Sequence, residues 1–175
     1  GQNFPEFMKE FEGSGLDYHI GVITTDVYTD GHNGKLRPTQ GKLWIDDTFG
    51  DPVSAFSELA MVGDEGSGDE RGREACYRAL VDEAQAHNIG FIRDDAGLHI
   101  TVVSDENDSS KAAPVTKEEF SAFLNNLRDE PDLVSFNSIV NLAGGGFPPA
   151  PPGTAYLEIT DKVGGLKRDI AKDEW

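Results

Sequence analysis

A chain of 175 residues with 37% hydrophobic side chains can bury one core unaided, and its single cysteine, Cys76, excludes an intrachain disulfide, a thiolate metal cluster or a two-cysteine redox centre. The 32 acidic against 15 basic residues give a formal net charge of -17, which repels phosphate backbones and anionic headgroups, so nucleic acid is not an expected partner. No apolar run approaches the roughly 20 residues that span a bilayer, and GQNFPEF lacks the basic and apolar parts of a signal peptide; no membrane insertion is expected, and the chain reads as excised from something longer.

In chain order, Asn3 is placed to cap a short helix whose Phe4, Phe7, Met8 and Phe11 share one face, closed by Gly13 or Gly15. Tyr18 to Thr25 (YHIGVITT) is short, rich in β-branched residues and bounded by glycine and aspartate, which predicts a buried strand ending at Asp26. Residues 27–50 are turn-rich and insertion-like, with a strand expected at Lys42 to Ile45. Pro52, Phe56, Leu59 and Ala60 predict a short helix before the glycine-rich GDEGSGDERG.

A longer helix is expected over Asp69 to His87, with Gly72, Cys76, Ala79, Leu80 and Glu83 near one stripe and Asp69 and Glu70 at the positive end of its dipole. Leu98 to Val103 (LHITVV) is the most strand-like run, and it ends in SDENDSS, a loop crowded with oxygen ligands. Thr116 and Glu119 form a capping box ahead of Phe120, Phe123, Leu124 and Leu127. Leu133 to Val140 predicts another strand, 143–153 a glycine- and proline-rich loop, Thr154 the cap of a helix through Val163, and Leu166 to Ile170 a last strand.

Strands alternating with amphipathic helices predict an α/β fold: a mostly parallel, Rossmann-like doubly wound sheet in three layers, with helices on both faces. Ligands of such folds sit beyond the carboxyl ends of the strands, which directs attention to Asp26, GSGDERG and SDENDSS.

The segments SGLDYHIGVITTD, GSGDERGREA, GLHITVVSDENDSS and AYLEITDKVGG resemble, in that order, a bacterial branch of von Willebrand factor A domains, and together they cover most of the chain. The resemblance implies a single domain of that fold over 1–175, binding a protein partner through a metal-ion-dependent adhesion site. There a magnesium or calcium ion keeps one position open for the partner's carboxylate. Asp105 matches the family's third-loop aspartate, while Asp69 or Ser67 lies near the second-loop threonine. The first motif, DxSxS, has no counterpart. By the resemblance the domain is truncated at both ends, and its central strand comes from omitted sequence, from another polypeptide, or is replaced by a rebuilt sheet. The branch resembled implies an extracytoplasmic or cell-surface setting.

Other readings stand beside this one. A metal-free interaction domain needs no ion, and a magnesium-dependent phosphotransfer or hydrolytic enzyme would use Asp105, Glu106 and Asp108 as a carboxylate cluster. Helix capping alone accounts for Asp69, turn preference for Asp30, Asn33, Asn107 and Asp108, and strand packing for His19 and His99. GxSxG, HExxH and GxxxxGK[ST] are all missing.

Overall fold

The computed structural model of the protein describes residues 8–9, 11, 14–63, 67–111, 114–142 and 151–172. Of the helix expected at the start, Met8 and Lys9 are helical, while residues 1–7 lie outside the described residues, as do 143–150 of the glycine- and proline-rich loop.

The alternating runs form a parallel sheet. β1 (Leu98–Ser104) pairs with β2 (Val134–Val140) from Leu98↔Val134 to Ser104↔Val140, and β2 pairs with β3 (Lys167–Asp169) from Ser138↔Lys167 to Val140↔Asp169, in the order β1-β2-β3. Four helices accompany it among the described residues: α1 (Pro52–Ala60), α2 (Gly72–Leu80), α3 (Lys117–Asn125) and α4 (Thr154–Val163). The architecture is therefore a small α/β domain, and none of these helices is long and apolar enough to cross a membrane.

The main core lies on one face of the sheet. Val102, Val134, Phe136 and Val140 meet Cys76 of α2, Phe120 and Leu124 of α3, and Tyr156 and Ile159 of α4. Deep burial pushes the Cys76 thiol up to about 12. On the opposite face His99, Thr101 and Val103 are exposed, and the side chains there are largely polar, with a His99–Ser135 hydrogen bond of 2.8 Å. A second cluster gathers Met8, Ile45, Ala55 and Leu59, with Tyr18, Ile20 and Val22 packed against it. Ile23 packs instead on the main core. Helical residues thus sit on both sides of the 18–25 segment, although β1, β2 and β3 are covered on one face among the described residues.

Four local expectations need correction. Tyr18 to Thr25 is extended and alternates between the two clusters, yet among the described residues its bridge is Ile20↔Ile45 alone, and it is not one of the strands of the sheet. The strand expected at Lys42 to Ile45 likewise reduces to that bridge and Thr39↔Lys42. The Arg37 N–H donating to the Val22 carbonyl (2.8 Å) adds one further bond, but a ladder needs a run of such pairs in register, and none forms at either segment among the described residues.

The helix expected to reach His87 stops at Leu80. Beyond it DEAQAH offers no apolar stripe, and the buried Asn88 folds the chain back, its amide donating to the Ala79 carbonyl (3.2 Å) and the Gly34 carbonyl (2.9 Å). Finally, Thr154 is the first residue of α4 rather than its cap. The cap position is Gly153, where a Cβ would lie 2.8 Å from that of Val140, and the orphan N–H of Ala155 is satisfied from a distance by the Asn107 side chain (3.0 Å).

Candidate functional site at the strand ends

The carboxyl end of β1, the 67–71 loop and the end of the 18–25 segment converge on one face. Asp26 makes the first link. Its carboxylate accepts the backbone N–H groups of Tyr28 (2.7 Å), Thr29 (3.2 Å) and Ser67 (3.3 Å) and the Thr29 hydroxyl (2.6 Å). Burial pushes this carboxyl up, but the hydrogen bonds from Thr29, Tyr28 and Ser67 outweigh burial and hold it at about 2 against an ordinary 3.8. The Arg71 N–H adds a second tie, donating to the Thr25 carbonyl (2.9 Å).

Of the expected site residues, Ser67 and Asp69 are brought together, the Asp69 N–H donating to the Ser67 hydroxyl (3.1 Å). Asp69 is already engaged: one carboxylate oxygen accepts the Tyr28 hydroxyl (2.6 Å) and two Arg71 nitrogens (3.0 and 2.8 Å). Those bonds hold its carboxyl below the usual range. Arg71 also lies over the Tyr28 ring, 4.7 Å from its centroid.

Asp105 follows the last residue of β1 and is exposed. Beside it is a residue that sequence reasoning passed over. Glu70 accepts the Ser104 hydroxyl at 2.6 Å, and its backbone carbonyl accepts the Ser109 N–H at 2.8 Å. Burial pushes the Glu70 carboxyl up, the Ser104 hydrogen bond opposes this, and the charges of Glu106 and Asp105 add to the rise. Placed just before a helix, Glu70 reads from sequence as a dipole-compensating residue. Its pairing with Ser104 requires the fold.

Asp108 belongs elsewhere. Its side chain is 2% exposed and pairs with Arg73 Nε at 3.3 Å, while Asp108 accepts the Arg73 N–H (3.2 Å) and the Ser110 hydroxyl (2.7 Å). The Arg73 guanidinium also donates to the carbonyls of Ser110 and Lys111. Half of the SDENDSS loop is thus pinned to the start of α2, and Asp105 and Glu106 remain as its solvent-facing acids.

The donors at this face are all oxygens, carboxylate and hydroxyl, a set suited to magnesium or calcium. Among the described residues no three His, Cys, Asp or Glu side chains converge as a metal-binding group. The fit is therefore partial: the donor chemistry is right, and one of the expected ligands, Asp69, is shared with Arg71. Neither a family model, a characterised protein nor a solved structure matches the chain.

Proposed function

We propose that the chain is a protein-interaction module that docks its partner on the strand-end face around Asp105. One observation carries this reading. The carboxylates nearby are matched by basic side chains, Asp69 by Arg71, Glu74 by Arg71 and Arg78, and Asp108 by Arg73. Glu70, Asp105 and Glu106 have no such ion pair among the described residues, and Glu70 is destabilised as an anion by burial and by the other two. A cation brought to this group relieves uncompensated charge.

In this reading Asp105, with Ser67 and Asp69, holds a magnesium or calcium ion, and the ion supplies a Lewis-acidic position for a carboxylate on the partner. The protein's own residues set the frame: Asp26 fixes the 67–71 loop, and Ser104 fixes Glu70. The resemblance of four segments to von Willebrand factor A domains points the same way, and with it to an extracytoplasmic setting. The occupied state of Asp69 favours a second reading, in which the same face binds a basic partner surface without metal.

Calorimetric titration of magnesium and calcium into the chain and into Asp105→Ala separates the two. Binding by the parent that disappears in the variant supports the metal-completed face. Absence of binding by the parent sinks it and leaves the metal-free module.

A further inference from the structure

Asp69 differs from the paired carboxylates around it in being reachable. Its side chain is 43% exposed, whereas those of Glu74 and Asp108 are 5% and 2% exposed. Three donors nevertheless converge on one of its atoms: Oδ2 accepts the Tyr28 hydroxyl (2.6 Å), Arg71 Nε (3.0 Å) and Arg71 Nη2 (2.8 Å).

Each of these donors has somewhere else to go. The Arg71 guanidinium also holds Glu74, through Nη1 at 3.2 Å, so it can release Asp69 and keep a counter-ion. Glu74 is held in turn by Arg78 at 2.7 Å, which keeps that buried carboxylate compensated in either arrangement. Tyr28 is 55% exposed, so water replaces Asp69 as the acceptor of its hydroxyl at little cost. Its ring lies 4.7 Å, centroid to guanidinium carbon, from Arg71, which couples the two donors to each other. The loop itself does not depend on them, because the Arg71 N–H on the Thr25 carbonyl and the Ser67 N–H on Asp26 are ties from the main chain. An ion pair exposed on the carboxylate side is weakly held, and a divalent ion brings twice the charge of the guanidinium to the same oxygen.

Building on the metal-completed reading above, we propose that Tyr28 and Arg71 form an autoinhibitory latch on Asp69, an internal cation that magnesium or calcium has to displace. In the closed arrangement of this structure the guanidinium neutralises Asp69. In the open one it withdraws to Glu74 and the Tyr28 hydroxyl turns to solvent, which leaves Asp69, with Asp105 and Ser67, for the ion. Affinity for the ion is lowered by whatever it takes to open the latch.

Removing a positive charge tightens cation binding whatever its role, so both test variants keep the charge. Tyr28→Phe deletes one donor to Asp69 and retains the ring. Arg71→Lys retains the cation and the main-chain tie but loses the planar fork that sets two nitrogens on one oxygen. Calcium and magnesium are titrated calorimetrically into the parent chain and both variants, and the Arg71 Nε–H resonance of the nitrogen-15-labelled parent is followed by NMR through the calcium titration. The expected result is binding at least about threefold tighter in each variant, with the Arg71 Nε–H signal of the parent shifting in step with saturation. Binding by the parent that is unchanged or weaker in either variant, or that leaves the Arg71 signal unmoved, overturns the latch and leaves the metal site standing. No binding by the parent overturns the latch and the metal-completed reading together.

Discussion

At Asp26 burial and hydrogen bonding pull the carboxyl in opposite directions, and the donors prevail, leaving it near 2 instead of 3.8. A carboxyl whose folded value is depressed contributes stability above its unfolded value and loses it as pH falls through the folded one. The contribution is therefore full above about pH 4 and fades toward about pH 2, and Asp26→Asn should cost about 2 kcal/mol at neutral pH, shrinking toward zero at the acid end. Urea unfolding of both proteins at several pH values checks this; a pH-independent difference would contradict it. Gly72 poses a steric question instead. A Cβ there would lie 2.5 Å from the Tyr156 hydroxyl, which also accepts the Gly72 N–H at 3.2 Å. Gly72→Ala should destabilise by about 1–3 kcal/mol through overpacking, and adding Tyr156→Phe should recover part of that loss in the same denaturation assay.

Between elements, the buried Arg73–Asp108 pair makes the loop after β1 and the start of α2 a single body. Arg73→Ala leaves Asp108 buried and uncompensated and should cost about 3–5 kcal/mol, while the Arg73→Ala, Asp108→Ala double variant should cost clearly less than the sum of the two single changes. Strict additivity in that cycle would mean that the pair is not coupled. The elements readable from sequence were those with a complete local signal: LHITVV and the run to Val140 by alternation, and α3 by the Thr116–Glu119 box, which forms with both hydrogen bonds. Those misread depend on distant partners. Asn88 ends α2, Asn107 serves the first turn of α4, and the 18–25 run has strand chemistry but no second neighbour to pair with. The place of Asp105 beyond a strand end was legible from LHITVV; the contact of Glu70 was not, since its partner Ser104 lies 34 positions away.

Over the whole molecule, the net charge of -17 is partly neutralised by local pairs, and the unpaired remainder includes the acids at the strand ends. The polar side chains on the open face of the sheet, Asn137 among them with bonds to the Ile100 carbonyl and the Leu166 N–H, let that face stay wet at little cost. The same division of wet and dry gives the lone thiol of Cys76 a use as a clock. A reagent needs the thiolate, and Cys76 is buried with its ionisation pushed to about 12, so modification has to wait for the core to open. In native buffer the labelling rate should fall far below that of a free cysteine and rise steeply with urea, and Asp26→Asn should quicken it. Labelling of the untouched protein at the free-cysteine rate would mean the core is open. One atom in the middle of the fold thereby times how often the whole of it lets go.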